Sequence, residues 1–281
     1  MGYYQGDDYY SDYSGPQIDN LLDKTVWQSN PNLLDNWYFA GGGSQQGGGQ
    51  FPINQRGKTS YTKSTDTHTI DRWFLTGGGT TSLSIESDCV LCSTVYGSME
   101  QKLYIPVKNQ IVTFSALYKW AIGQLIMHIY YDDENGVEQI VSFNVNPWQG
   151  PEVNETFGSF KTGEITGTIK KVAIYHGHDS SFRVIAAKLE LGDTQTLAHQ
   201  DENGNWVLNE VPNYQEQLTR CQRYYQIFPS ISTIPGGVAP TSSAPIKKEA
   251  FRPVMAKDIT TSDYGTITIE GSTFYFADAN L

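Results

Sequence analysis

Hydrophobic and polar residues alternate through most of the middle of the chain, in short runs that are separated by glycine-bearing turns. The runs are IDRWFL, TSLSIE, CVLCSTVY, KLYIPV, IVTFSALYKW, QLIMHIYY, VEQIVSFNV, IKKVAIYHG and FRVIAAKLEL. A period of two places alternate side chains on opposite faces of a strand, so that a sheet of such strands buries one face. Their number and spacing predict a mainly β protein with an antiparallel β-sandwich.

Two hairpins are predicted. In QLIMHIYYDDENGVEQIVSFNV, two alternating runs flank DDENG, and Asn135-Gly136 is suited to the positive φ angles of a tight turn. At the end of the chain, YGTITIEGSTFYFADANL reads as a hairpin that turns near Gly271-Ser272.

A different period marks the segment between the β-sandwich and the terminal hairpin. Residues 213–228 place Tyr214, Leu218, Cys221 and Tyr225 at steps of four and three, and Pro229 follows. This spacing predicts a helix over residues 213–228 with a narrow apolar seam.

The first 31 residues lack the strand pattern. Residues 1–15 mix tyrosines, aspartates and glycines without a period, which predicts disorder in isolation. After Pro16, apolar residues fall on one face and predict a short amphipathic helix that must pack on another surface to be stable. Such a segment is suited to docking on another protein, and a terminus without any role is the alternative. The residues expected to dock are Tyr9, Tyr10, Tyr13, Ile18, Leu21 and Leu22.

Charge and composition argue against several classes of partner. The 281 residues carry a formal net charge of −11, which repels phosphate backbones and anionic lipid, so nucleic acid is not expected as a partner. No run approaches the roughly 18 consecutive apolar residues of a membrane span. The start MGYYQGDDYY also lacks the basic and apolar parts of a signal peptide. Neither membrane insertion nor export by that route is therefore expected.

The 3 cysteines do not suggest a disulfide framework, and their odd number fits assembly in a reducing cytoplasm. Cys89 and Cys92 form a CxxC inside a strand-like run, where residues three apart face opposite sides of the sheet. Buried apolar thiols are therefore favoured over a zinc or redox site.

No set of nucleophile, base and stabiliser is recognisable, so neither an enzyme nor a cofactor is expected. The best metal candidate is the run HGHD from His176 to Asp179, although a polar loop is the favoured reading. The acidic run from Asp132 to Asn135 could gather calcium, but an acidic hairpin tip explains it equally well.

Aromatic side chains are the most suggestive candidates for a binding function, because flat apolar rings bind the faces of sugars. Trp37 and Trp73 are expected to fill the core instead. Trp148 lies in the Pro- and Gly-flanked loop NPWQGP, and we predict that it binds ligand together with Tyr130 and Tyr131. Trp120 and Trp206 could supply further rings.

Several longer strings carry a family resemblance. NLLDNWYFA, PINQRGKTSYT, TIDRW, AAKLELGDTQTLAHQ, LNEVPNYQEQLTRCQRYYQIF, FRPVMA and FYFADANL are similar to segments of tail-fibre-like and head-fibre-like bacteriophage virion proteins, over residues 32–281. The glycine-rich residues 41–50 depart from that pattern as an insertion. The front end YSGPQIDNLLDKTV also resembles the segments by which such fibres attach to a virion.

The resemblance implies an anchoring segment over residues 1–31 and a carbohydrate-binding-module-like jelly roll over residues 32–195. Residues 196–281 would form a small region with the helix and the terminal hairpin. It further implies a virion location, assembly in the host cytoplasm, a homotrimer, and attachment through the N-terminus to capsid, portal or tail proteins. Host-surface polysaccharide is the expected ligand. A head decoration or tail connector without ligand, or a virion-associated polysaccharide hydrolase, are the alternatives. The family offers no catalytic residues to transfer.

Overall fold

A computed structural model describes residues 3–5, 8–10, 29–41, 51–65, 68–77, 80–94, 96–146, 153–177, 180–228, 263–269 and 272–279. In chain order the elements are β1 (Tyr3–Gln5), β2 (Asp8–Tyr10), β3 (Ser60–Thr62), β4 (Phe74–Gly77), β5 (Ser82–Ile85), β6 (Val90–Thr94), β7 (Gly97–Gln110), β8 (Val112–Ile122), β9 (Leu125–Asp133), β10 (Glu138–Asn146), β11 (Val153–Lys161), β12 (Ile165–His176), β13 (Ser180–Leu191), β14 (Ala198–Gln200), β15 (Trp206–Leu208), α1 (Tyr214–Gln222), β16 (Tyr225–Phe228), β17 (Tyr264–Ile269) and β18 (Ser272–Asp278).

Two antiparallel sheets form the body of the protein. One has five strands in the order β10-β9-β12-β7-β4, and the other has six in the order β11-β8-β13-β6-β5-β3. Their inner faces share one hydrophobic core. The prediction of a mainly β protein with a jelly-roll sandwich is confirmed.

The two predicted core tryptophans lie where expected. Trp37 is 3% exposed and Trp73 is fully buried, and the Trp73 indole donates a hydrogen bond to the Asn36 carbonyl at 2.9 Å. Phe39 packs edge-on against Trp73 with 5.5 Å between ring centroids. The segment that carries Trp37 and Phe39 is fixed to β13 by backbone hydrogen bonds, so it belongs to the body of the sandwich.

The predicted hairpin is formed by β9 and β10, which pair from Asp132 and Glu138 inwards. Gly136 has a φ of +75° and donates its backbone N–H to the Asp133 carbonyl at 2.9 Å. Asn135 keeps a negative φ, so the expectation that both residues of the Asn-Gly pair supply positive angles was wrong. A longer turn than the two-residue type needs only one left-handed position.

All 3 cysteines are buried thiols, and burial raises their pKa values. Cys92 belongs to the core, with its sulfur 3.7 Å from that of Met99. Cys89 lies outside the core cluster and donates to a Glu86 carboxylate oxygen at 3.2 Å. The two residues of the CxxC thus have separate surroundings, and those of Cys89 are more polar than predicted.

The predicted helix over residues 213–228 is shorter than expected. Its N-cap is Asn213, whose side chain accepts the Glu216 backbone N–H at 3.1 Å, and α1 ends at Gln222. After a turn, Tyr225–Phe228 form β16, which pairs with β18, and β18 pairs with β17 in the predicted terminal hairpin. Pairing with β18 satisfies backbone groups that a continued helix would have bonded internally.

The N-terminal residues contain a correction and an untested prediction. Where the sequence predicted disorder, β1 and β2 form an antiparallel pair, with Tyr3 opposite Tyr10 and Tyr4 opposite Tyr9. Tyrosine favours strands, which is a physical reason for this pairing. The predicted helix after Pro16 lies outside the described residues. In the described part of the chain, no helix has the length and apolar character needed to cross a membrane.

The C-terminal region docks on the sandwich through a buried polar contact that we call the junction, formed by Arg56, Asp71, Gln217, Tyr225 and Asp278. The Arg56 guanidinium contacts carboxylate oxygens of Asp71 at 3.2 Å and of Asp278 at 3.0 Å. It also lies 3.8 Å from the centroid of the Tyr225 ring. Gln217 of α1 accepts a backbone N–H from the sandwich at 2.8 Å. These contacts cross the predicted boundary near residue 195, and the division into three regions stays a prediction.

Candidate functional site

The outer face of the five-stranded sheet carries a cluster of rings and charged groups that we call the platform: Glu100, His128, Tyr130, Lys171 and Tyr175. Strand alternation produces it. The residues next to these on β9 and β12, such as Met127 and Ile174, lie in the core, so the platform side chains face outwards.

Register brings the platform residues into adjacent rows. His128 of β9 is opposite Ser142 of β10 on one side and Ala173 of β12 on the other, and Ala173 is opposite Glu100 of β7. In the next row, Tyr130 is opposite Lys171. Ala173 is the small residue between these larger neighbours, and it is 1% exposed because their side chains cover it.

Three rings form the aromatic part of the platform. The ring of His128 lies 5.7 Å from that of Tyr130 and 5.8 Å from that of Tyr175, between centroids. All three are half-buried, while Ser142 beside them is exposed and its hydroxyl lies 2.7 Å from His128 Nδ1. The arrangement presents ring surface and polar atoms side by side.

An ion pair forms the polar part of the platform. Lys171 Nζ lies 2.8 Å from a carboxylate oxygen of Glu100 and 4.3 Å from the centroid of the Tyr130 ring. The other Glu100 oxygen accepts hydrogen bonds from Ser98 at 2.6 Å and Thr76 at 2.7 Å. Glu100 is therefore held by three donors, which fixes the lysine above the tyrosine.

Burial sets the ionisation of the rings. It lowers the pKa of His128, with the Glu100 carboxylate raising it and the Lys171 ammonium lowering it to smaller extents. Burial also raises the pKa of Tyr130, against a smaller opposing effect of Lys171. At neutral pH the imidazole and the phenol are both uncharged, and the charged groups of the platform form a balanced pair.

Two of the three ligand-binding residues predicted from sequence lie in the described part of the chain, and they face opposite sides of the sheet. Tyr130 lies on the platform, whereas Tyr131 points to the inner side and packs against the core. Tyr131 also lines a polar pocket of about 370 Å³ beside the β9–β10 turn. Trp148 lies outside the described residues.

The structure describes the ring of only one of the two further tryptophans that the sequence offered for ligand binding. Trp206 is half-buried and stacks on Phe157 with 4.1 Å between centroids, so its ring is used for packing. The side chain of Trp120 lies outside the described residues. Of the predicted anchoring residues, Tyr9 and Tyr10 fall in β2 without described side chains, and the rest lie outside the described residues: Tyr13, Ile18, Leu21 and Leu22.

At the acidic hairpin tip, both aspartates have their carboxylates engaged by protein groups. Asp132 is paired with Lys170 at 3.0 Å. Asp133 accepts the backbone N–H groups of Asn135 at 2.9 Å and Val137 at 3.0 Å, and these bonds lower its pKa. Turn formation and ion pairing thus account for the two aspartates of the acidic run that the sequence left open as a calcium candidate.

Another group of metal-type ligands lies at the start of β6, where ligand atoms of Glu86, Asp88 and Cys89 approach within 4.8 Å of one another. Glu86 is already paired with Arg183 at 2.7 Å, and Asp88 is paired with Lys119. These cations balance the acidic groups.

The metal candidate His176 points into the sandwich. It is fully buried, packs against Phe182 with 5.2 Å between centroids, and neither ring nitrogen has a hydrogen-bond partner among the described residues. Burial lowers its pKa to about 3. The remaining ligands of the predicted run, His178 and Asp179, lie outside the described residues.

Sequence reasoning identified one platform residue and missed the other four. Glu100, His128, Lys171 and Tyr175 come from three strands and share no local motif. The usable signal was alternation: once Met127 and Ile129 are assigned to the core, His128 and Tyr130 must share the opposite face.

Comparisons with known proteins return structures only. No protein family and no curated protein matches the chain. Part of the chain, 43%, is similar to 19% of the enzymatically active domain of tailspike protein 4 of bacteriophage CBA120, at 12% identity and a TM-score of 0.33. The CBM22-1 xylan-binding domain of Paenibacillus barcinonensis Xyn10C gives 12% identity and a TM-score of 0.36, over 59% of this chain and 98% of that domain.

A family 11 carbohydrate-binding module from Clostridium thermocellum, in complex with a mixed-linked tetrasaccharide, gives 13% identity and a TM-score of 0.28, over 44% of this chain and 92% of the module. At such low identities and TM-scores, these similarities carry no conclusion about function. The platform has to be judged on its own geometry.

Proposed function

We propose that the protein is a non-catalytic carbohydrate-binding protein, and that the platform is its glycan-binding surface. The observation that carries this proposal is a set of three rings in which that of His128 lies within 6 Å of both Tyr130 and Tyr175, beside a fixed Lys171–Glu100 pair.

The chemistry of a sugar fits this surface. The C–H face of a pyranose packs on an aromatic ring, while its hydroxyls need donors and acceptors close by. Lys171, Ser142 and His128 supply such groups next to the rings. Because the charges are balanced, a neutral glycan would meet no unpaired charge on binding.

The wider role we propose is that of a bacteriophage virion fibre or appendage subunit. In this proposal the N-terminal segment attaches to a capsid, portal or tail protein, the chain forms a homotrimer, and the platform adheres to host-surface polysaccharide. The family resemblance of residues 32–281 supports it. Mass photometry of the full chain tests the trimer, and a monomer at micromolar concentration would contradict it.

Binding is tested by screening the full chain on a glycan array and measuring the best ligands by calorimetry. We expect Tyr130→Ala and Tyr175→Ala each to weaken binding by about tenfold, which corresponds to roughly 1.4 kcal/mol of lost ring contact. Phe143→Ala is the matched control, because this 37% exposed ring lies on β10 but alternates to the face opposite the platform.

The same glycans distinguish this proposal from three alternatives: a different binding surface, a structural component without ligand, and a hydrolase. Array hits that survive both tyrosine substitutions would place the binding surface elsewhere. A silent array would favour a structural component without ligand. New reducing ends after incubation with host polysaccharide would identify a hydrolase instead of a binding protein.

A further inference from the structure

A second pocket lies between the sandwich and the C-terminal region, distinct from the platform. Its volume is about 170 Å³, and its polar lining consists of Asp35, Arg72, Arg220, Arg223 and Tyr224. The first two come from the sandwich, and the others come from α1 and the residues that follow it. Docking of the C-terminal region therefore creates this pocket.

Two of the arginines are held by the one carboxylate. Asp35 pairs with Arg72 Nε at 2.9 Å through one oxygen and with Arg220 Nε at 2.7 Å through the other. Arg72 also donates to the Lys102 carbonyl at 2.6 Å and stacks 3.4 Å above the centroid of the Tyr224 ring. Two guanidinium groups are thus fixed in position before any ligand arrives.

The third arginine is not engaged in this way. Arg223 is exposed, and among the described residues its guanidinium has no hydrogen-bonded or ion-paired partner. With Asp35 as the acidic group of the lining, the pocket carries an excess of positive charge. This excess is unexpected in a chain whose net charge is −11.

The backbone conformation of Arg72 suggests that the position of its side chain in the pocket serves binding. Its φ of +72° lies in the left-handed region, which is uncommon for residues other than glycine, asparagine and aspartate. A strained backbone persists where its surroundings over-determine it, and such positions are concentrated at binding sites. The stack on Tyr224 and the pair with Asp35 are the contacts that hold it.

The remaining walls of the pocket are apolar and are formed by Leu33, Leu103 and Ile105. A ligand that fits must therefore combine an anionic group with a compact surface of C–H bonds. Guanidinium forks match the two oxygens of a carboxylate, and the small volume admits a single unit.

We propose that this pocket binds the carboxylate of an acidic sugar unit. Arg223 and the unpaired N–H groups of Arg72 and Arg220 would bind the carboxylate, and the apolar walls would contact the C–H face of the ring. The proposal is independent of the platform, since the two sites share no residue.

A purely structural role for these arginines makes a different prediction. Arg220 stands in the last turn of α1 and Arg223 at its C-cap, where cations interact favourably with the helix dipole. If that were their only role, replacing Arg223 would lower the melting temperature slightly and no sugar acid would bind at the pocket.

The test is calorimetric titration of the full chain with glucuronate, with glucose as the neutral analogue and inorganic phosphate as a plain anion. We expect glucuronate to bind and glucose not to bind at this site. Arg223→Gln should weaken glucuronate at least fivefold, Arg223→Lys should weaken it less, and Arg183→Gln, a surface arginine paired elsewhere, should leave it unchanged. The Tyr130→Ala/Tyr175→Ala double variant should keep its glucuronate binding, which separates this site from the platform.

Three outcomes would overturn the proposal. The first is glucuronate binding that Arg223→Gln does not affect in a variant with unchanged melting temperature. The second is phosphate binding as tight as that of glucuronate, which would indicate a general anion site. The third is no binding of glucuronate at millimolar concentration.

Discussion

The platform and the junction use the same side-chain chemistry in two different surroundings. On the platform, Lys171 lies 4.3 Å from the Tyr130 ring and pairs with Glu100. In the junction, Arg56 lies 3.8 Å from the Tyr225 ring and pairs with two aspartates. The side chain of Lys171 is 27% exposed, and that of Arg56 is 9% exposed.

This difference in exposure distinguishes the proposed binding surface from a structural contact. In the junction another segment of the same chain covers the cation and the ring, so their interactions are used to hold β16 and β18 on the sandwich. On the platform the same kinds of group keep part of their surface open to a ligand. A cation stacked on a tyrosine therefore indicates a binding surface only where the structure leaves it uncovered.

The junction should give the largest effect on stability. Asp71 is buried, and burial raises its pKa to about 6 although Arg56 acts to lower it. Arg56→Gln would leave the buried Asp71 without its cation. Removing one partner of a buried ion pair costs about 3–5 kcal/mol. Urea denaturation should show this loss.

Arg183→Gln is the control for that measurement, because Arg183 pairs with the half-exposed Glu86 at the surface. Surface pairs contribute about 0–1 kcal/mol. An Arg56→Gln cost similar to that of Arg183→Gln would mean that the C-terminal region does not bury the junction in solution.

His176 offers a sharper contrast, because it is buried without a partner on the inner face of the strand that presents Tyr175 to the platform. Its pKa is about 3 in the folded protein and about 6.5 in an unfolded chain. Between these values the unfolded chain binds a proton that the folded protein does not. Stability is therefore lost as the pH falls below about 6.5, by roughly 1.4 kcal/mol per pH unit.

His176→Leu should remove this sensitivity to acid. Between pH 7.5 and pH 5, the free energy of unfolding of the unsubstituted protein should change by about 2 kcal/mol relative to the variant. The raised pKa of Asp71 acts in the opposite direction, since its protonation favours the folded state as the pH falls through about 6. That contribution is the same in both proteins and cancels in the difference. If the two proteins instead lost the same stability between pH 7.5 and pH 5, His176 would have a hydrogen-bond partner in solution.

The sequence predicts the strands and part of the core, but it does not predict most residues of the platform. Alternation identified β9 and β10, and aromatic content placed Trp37 and Trp73 in the core. The platform depends on which strands become neighbours, because Glu100 and Lys171 are 71 residues apart in the chain. Local spacing contains no information about that pairing.

Two differences between the sequence analysis and the structure have the same physical origin. The sequence analysis groups Tyr130 and Tyr131 as ligand-binding residues, whereas the structure places these consecutive residues of one strand on opposite faces. The spacing of Tyr225 continues the helical seam and predicts a helix to Phe228, whereas in the structure this segment pairs with β18 as a strand. In both cases the tertiary partner decided between two locally acceptable patterns.

The smallest loss of stability is expected when glutamine replaces the cation of the platform instead of the cation of the junction. Lys171→Gln leaves Glu100 with its hydrogen bonds from Ser98 and Thr76, at 2.6 Å and 2.7 Å, so the carboxylate is not orphaned. Glu100 is buried, but Lys171 is 27% exposed, so water can take the place of the ammonium group beside the carboxylate and the loss of stability should be about 1 kcal/mol or less. Glycan affinity should nevertheless fall, since the lysine is expected to bind sugar hydroxyls.

Urea denaturation and calorimetry on the same sample measure the stability and the glycan affinity of Lys171→Gln, with Lys119→Gln as the exposed control that should change neither. A stability loss as large as that of Arg56→Gln would mean that the platform is covered in solution, and the contrast between an open and a closed site would then be lost.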